Sequence, residues 1–381
     1  DSSEYALVGM CSGTAFIDIT DPVNAVFLGD LPTHTFNSSW RDIKVYANHA
    51  FIVSEAPGHG MQVFDLTRLR NVSNPPETFT EDAHLGTFGD AHNIAINENT
   101  GTAFIVGSTS SGSPVTNGGL MIVDITNPLV PTLSGTYTNS GYIHDSQCVT
   151  YIGPDTDHIG KEICVNSHSG SPDRKTIVDV TDPTDATLLA EINWPNARIG
   201  HQGWFTEDQR YFLLGDEGDE SNPLSNHNTR TYVFDLLDLD NPVLVGWHDG
   251  TNASIDHNLY THKNLVWQAN YSSGLQVLEP VDLSVPTMQQ VGWFDTYTAG
   301  NAVGFDGAWS NYPYFPSGNV IISDYDIGFF VVRPTPLIQV RALLDGPLDT
   351  ATMLMNDELR MQGLIPQAEP YTAFGFTLSD G

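Results

Sequence analysis

Positive charge is scarce in this chain. Fourteen lysines and arginines face 46 aspartates and glutamates over 381 residues, a formal net charge of −32. Nucleic acid needs a basic footprint on its partner, and an anionic lipid surface needs basic clusters, so neither is expected to bind. Cysteine is scarce as well: Cys11, Cys148 and Cys164 are the only three, and no C-x-x-C pair exists to hold structural zinc. No run of 18 apolar residues occurs, so the sequence holds no helical membrane span and no direct membrane insertion is expected. The catalytic signatures G-x-S-x-G, P-loop, strand-borne G-x-G-x-x-G and H-E-x-x-H are missing. Carboxylates are so numerous that no glycosidase pair stands out. On these grounds a non-enzymatic role ranks ahead of an enzymatic one.

What is present is a repeat. The phrase "TAFIDITDP" at 14–22 returns as "MQVFDLTRL" (61–69), "LMIVDITNP" (120–128), "KTIVDVTDP" (175–183) and "TYVFDLLDLDNP" (231–242). Weaker copies are "LQVLEPVDLSVP" (275–286) and "GFFVVRPTP" (328–336). The aligned residues Asp18, Asp65, Asp124, Asp179, Asp235, Glu279 and Arg333 are spaced by 44 to 59 residues. Each copy is apolar and β-branched and then breaks near a proline, which reads as a buried strand followed by a turn. A second strand precedes each copy ("AFIVSE", "AFIVGS", "YFLLGD") and a third follows ("AVFLGDL", "LVGWHD"). A fourth opens every repeat but the first ("WRDIKVY", "AHNIAIN", "GHQGWFT"). Four strands per repeat, seven times, predicts an all-β fold, a seven-bladed β-propeller over residues 1–333. Its first blade lacks the innermost strand. Residues 334–381 are expected to form a C-terminal extension or the start of a further module. The abrupt start at "DSSEYALVGM" reads as a processed or trimmed N-terminus.

Strands are named A to D from the inside of each blade outwards. Near the start of successive A strands the sequence reads Arg41, His92, His144, His201, His257 and Asp306; the next position reads Asp42, Asn93, Asp145, Gln202, Asn258 and Gly307. Chain reversal puts the starts of the A strands and the B-to-C turns at one face. The acids of "DEGDE" (216–220) therefore belong beside His201. Imidazoles meeting carboxylates suit a transition metal, and the acid-rich loops suit calcium. The candidate ligands of a divalent metal ion are His92, His144, His201, His257, Asp145, Glu217 and Asp306. The alternative is structural, with the same side chains hydrogen-bonding the backbone of the neighbouring blade. The strand-C aspartates need only shape the following turn. Cys148 and Cys164 flank one hairpin and are expected to form a disulfide in an oxidising compartment, leaving Cys11 free.

The strand-C phrases look like LVIVD repeats. With "SSWRDIKVY", "AHNIAIN", "HDSQCVTYIGPD", "GHQGWFTEDQRYFLLGDE", "DHNLY", "QANYSSGLQVLE" and "GAWSNYPYFPSG", residues 4–333 resemble the choice-of-anchor B family. That resemblance implies a propeller secreted or displayed on a bacterial surface, and no established activity. The expected function is an extracellular binding or adhesion module of a larger polypeptide with further domains. Its partner would be an extracellular protein or polysaccharide. The second expectation is a metal-dependent extracellular enzyme, with copper, zinc or iron at a His-rich site in the channel.

Overall fold

The computed structural model describes residues 3–110, 112–170, 173–222, 227–334, 336–337 and 376–377. Most of 334–381, including the expected extension, lies outside the described residues. The fold is all-β: seven sheets follow one another along the chain as the blades of a seven-bladed β-propeller. Among the described residues the only helices are two short 3-10 turns, Pro22–Asn24 and Leu66–Asn71, and no helix is long and apolar enough to cross a membrane.

The chain divides into two compact units, Asp1–Gly218 with Phe234–Leu244 and Asp219–Val233 with Val245–Gly381. The first unit holds blades 1 to 4 and the two inner strands of blade 5. Blade 1 consists of Tyr5–Met10, Gly13–Asp18 and Val26–Pro32, with the short strand Glu77–Thr78 added in parallel at its edge. Blade 2 is Arg41–Tyr46, His49–Ser54, Met61–Asp65 and Ala83–Leu85. Blade 3 is Asn93–Asn97, Thr102–Val106, Leu120–Asp124 and Thr132–Tyr137. Blade 4 is Asp145–Thr150, Glu162–His168, Arg174–Asp179 and Thr187–Ile192. The inner strands of blade 5 are Gln202–Phe205 and Tyr211–Gly215. The second unit holds blade 6, Asn258–His262, Leu265–Ala269, Leu275–Asp282 and Thr287–Phe294, and blade 7, Ala308–Tyr312, Val320–Asp324 and Gly328–Val332.

Strands B and C read as near-continuous apolar runs because each blade is covered on both faces. Phe51, Val53, Met61 and Val63 of blade 2 pack against Ile94, Ile105, Met121 and Val123 of blade 3. Phe104, Leu120 and Ile122 of blade 3 pack against Cys148, Cys164 and Val178 of blade 4. In the second unit Trp267, Leu275 and Val277 meet Val320 and Ile322. Each such side chain contributes about 1.5–3 kcal/mol by leaving water. These layers lock neighbouring blades together and set where each A strand begins.

Cys148 and Cys164 stand directly opposite each other across the A and B strands of blade 4 and are joined by a disulfide. Cys11 is free and exposed. The strand-C aspartates act as turn formers: Asp18, Asp65, Asp124, Asp179 and Asp235 each accept the N–H two residues on, at 2.8–3.0 Å. At Asp124 the hydrogen bonds from Thr126 hold the carboxyl below the usual range.

Candidate functional site

In the first unit, three histidines sit immediately before successive A strands: His92 before Asn93–Asn97, His144 before Asp145–Thr150, His201 before Gln202–Phe205. The His92 N–H donates to the Val106 carbonyl at 2.9 Å and that of His144 to Ser167 at 2.7 Å, so strand B pins each start. The three rings form a row. Centroids of His92 and His144 are 4.2 Å apart, tilted by 54°, and those of His144 and His201 are 4.3 Å apart, tilted by 51°.

Two glutamates from B-to-C turns end the row. Glu55 Oε1 lies 2.5 Å from His92 Nδ1, and Glu217 Oε2 lies 3.8 Å from His201 Nε2. His201 is buried. The row is a line of imidazoles, side chains of the type that can carry a proton or ligate a metal, with a carboxylate at each end. Arg41, which takes the aligned place in blade 2, donates instead to the Met10 carbonyl and lies 2.9 Å from His59 Nε2. Burial lowers that guanidinium to about 10 and the His59 imidazole to about 4.

The next A-strand position stitches blades together. Asn93 Nδ2 donates to the His144 carbonyl at 2.9 Å and to Asp145 Oδ2 at 3.1 Å. Asp42 Oδ2 accepts the Ile94 N–H and the Lys44 ammonium. Asp145 also accepts the N–H of Ser146. Desolvation pushes the Asp145 carboxyl up to about 6, against the nearby Lys44 charge. Among the described residues it accepts a hydrogen bond from Asn93 of the neighbouring blade.

Two further groups of the first unit bring imidazoles and carboxylates within 4.8 Å of one another: His34, Glu81 and His84, and Asp155, His158 and Asp240. His34 Nδ1 is 2.9 Å from Glu81 Oε1, and its ring stacks on His84 at 3.7 Å. Neither group occupies equivalent positions of the repeat, so the alignment of repeats held no signal for them.

The predicted ligands His257 and Asp306 belong to the second unit. His257 Nδ1 donates to the Trp309 carbonyl, and its ring packs on Trp309 at 4.3 Å and Tyr271 at 4.9 Å. Asp306 is exposed and accepts the Tyr297 hydroxyl at 3.4 Å. A cleft of about 290 Å³ opens in the same unit. Most residues that line it are neutral and polar, including Thr231, Gln268, Asn270, Gln276, Gln289 and Gln290, though with Leu278 and Met288 they present more apolar than polar surface. Hydrogen bonds preset several of these groups. Asn270 Nδ2 donates to Gln268 Oε1 (3.3 Å), Gln268 Nε2 to Thr231 Oγ1 (2.6 Å), and Gln290 Nε2 to Gln276 Oε1 (2.8 Å). Burial holds the lining His248 below its ordinary value, despite Asp249 beside it.

Residues 115–139 match the family model of the LVIVD repeat. No curated protein matches the chain. Among solved structures, the fold is similar to a protein from Lactobacillus plantarum at 13% identity and a TM-score of 0.61, covering 87% of this chain and 92% of that one. It is also similar to a putative 6-phosphogluconolactonase from Bacteroides fragilis at 12% identity and a TM-score of 0.60, covering 88% and 92%. The periplasmic gluconolactonase of Pseudomonas aeruginosa matches at 12% identity and 0.59, covering 87% and 92%. At these identities the likeness shows the propeller fold alone.

Proposed function

We propose that the chain is an extracellular binding module, displayed on the surface of a bacterium as part of a larger secreted protein, and that its partner is a neutral polysaccharide. The amide-lined cleft of the second unit carries this reading. Amides and hydroxyls offer donors and acceptors in equal measure, as sugar hydroxyls do. A preset network has less ordering entropy to lose on binding. The net charge of −32 keeps such a module soluble in a salty medium, where self-repulsion is screened. The cleft is near the lower end of ligand-site volumes, which suits one or two sugar units. The test is a panel of neutral and acidic polysaccharides presented to the full chain, with Gln268→Ala and Gln290→Ala as variants. Binding to a neutral glycan should weaken about three- to tenfold in each variant, the value of one neutral hydrogen bond. Binding to no glycan, or binding untouched by either change, overturns the reading.

A second reading, a metal-dependent activity, rests on the imidazole row between Glu55 and Glu217. Neutral imidazoles with carboxylates are the ligand set of copper, zinc and iron. The gluconolactonase relatives add no support, since their likeness extends to fold only. Elemental analysis of protein purified without added metal decides it. Copper, zinc or iron at about one equivalent, lost in the His92→Ala/His144→Ala variant, supports the reading, and metal-free protein removes it.

A further inference from the structure

The acidic run "DEGDE" ends in two residues that the row does not use. Asp219 and Glu220 belong to the second unit and are buried, with relative exposures of 1% and 6%. They face each other carboxyl to carboxyl, and Asp256, also buried, adds a third negative charge. Burial and the adjacent Asp256 and Asp219 carboxyls hold the Glu220 carboxyl well above the usual carboxylate range. Glu220 Oε1 accepts the Arg230 N–H at 3.2 Å, but among the described residues no N–H or O–H donates to the buried Oε2. A buried carboxylate oxygen without a donor is costly and demands either a proton or a cation.

The neighbouring imidazole indicates which. His227 Nδ1 lies 2.8 Å from the Asn228 carbonyl, which only accepts, so Nδ1 carries the proton. Nε2 then presents its lone pair, 3.9 Å from Asp219 Oδ2. Ligand atoms of Asp219, Glu220 and His227 all lie within 4.8 Å of one another. Two ligands each about 2.1 Å from one ion are separated by at most about 4.2 Å, so the 3.9 Å gap is one an ion can bridge. A backbone carbonyl orienting the far nitrogen of a ligating imidazole is the usual outer support of such sites. Asp219 is itself held by the Tyr232 hydroxyl at 2.8 Å.

We propose that Asp219, Glu220 and His227 form a binding site for a divalent cation of the zinc and manganese class, with Asp256 supplying further negative charge. The imidazole nitrogen favours this class over calcium. The site is independent of the glycan reading and of the imidazole row. It also braces the segment that starts Arg230–Asp235, whose neighbours Thr229 and Thr231 line the cleft.

The test uses the full chain after chelation and dialysis, titrated with zinc, manganese and calcium chlorides by calorimetry, with thermal unfolding in parallel. Wild type should take up about one equivalent of zinc or manganese and melt at higher temperature when loaded, because binding only the folded state stabilises it. Glu220→Gln keeps the shape, and its metal-free form should melt no lower than metal-free wild type because a neutral amide replaces a carboxyl that must otherwise hold a proton there. Its affinity for the ion should fall at least a hundredfold, about the cost of removing one charged partner from a buried set. His144→Gln should leave this uptake intact, which separates the site from the imidazole row. Metal uptake equal in wild type and Glu220→Gln overturns the proposal. So does calcium uptake with no response to zinc or manganese, or a wild type that takes up no ion and simply keeps Glu220 protonated.

Discussion

A single sequence run shows how far residue identity underdetermines residue role. The four acids of "DEGDE" have three different surroundings. Glu217 reaches toward His201. Asp219 and Glu220 meet each other and His227. Asp216 is fully buried and closes a loop: its Oδ2 accepts Trp194 Nε1 and the Arg198 N–H at 2.8 and 2.9 Å, and its Oδ1 accepts the N–H groups of Ile199 and Gly218 at 2.8 and 3.2 Å. Four donors on two oxygens are a purely structural assignment. Asp216→Asn would turn one oxygen into a donor and set it against two buried donors whichever way the amide lies. Leaving those unsatisfied costs about 1–3 kcal/mol each, so the variant should lose roughly 3 kcal/mol of stability in urea unfolding. A loss below about 0.5 kcal/mol, the scale of a neutral surface change, would show that the loop finds other acceptors. The acids could be placed near His201 from strand order alone. Their division among partners could not, because it depends on distances of a few ångströms between loops.

At the scale of the element, the blades were legible because their signal is repeated. One apolar strand running into a turn, met seven times and ending in Asp in five of them, outweighs the ambiguity of any single copy. The aspartate has a local job, accepting the N–H two residues on, and so it recurs in five of the seven copies. The same logic placed His92, His144 and His201 at equivalent starts of A strands, and the row of rings follows from that equivalence. Elements outside the repeat left no trace. Glu77–Thr78 pairs in parallel with Val26–Pro32 of blade 1, and two residues have no period to read. His34 and Glu81 meet from opposite ends of a long stretch of chain, joined by folding alone. The cleft draws its amides from several strands of the second unit, each in a sequence context that looks like ordinary strand surface. The second A-strand position was ambiguous for a different reason. Asp145 can ligate or stitch, and the sequence shows neither the neighbouring blade's Asn93 amide beside it nor the His144 carbonyl that the same amide reaches.

At the scale of the whole molecule the dominant fact is the imbalance of 46 acids over 14 bases. Ion pairs can engage only a minority of those carboxylates. Among the described residues many of the rest are exposed, such as Asp21, Glu98, Asp182 and Asp282, and like charges repel one another in the folded chain more than in the expanded one. At low ionic strength the Debye length is about 30 Å, long enough for charges on different blades to interact, and at 1 M salt it is about 3 Å. The melting temperature should therefore rise steadily as sodium chloride goes from about 10 mM to about 1 M, the range over which that screening acts. Choline chloride should act as well as sodium chloride, since screening depends on charge and not on ion identity. A cation held at Asp219, Glu220 and His227 would behave differently, saturating at low concentration and disappearing in Glu220→Gln. Thermal unfolding across salts and in that variant separates the two effects. A melting temperature that stays flat or falls with salt would mean that local hydrogen bonds, such as those on Asp124 and Asp216, and not the net field, set the electrostatic stability of the propeller.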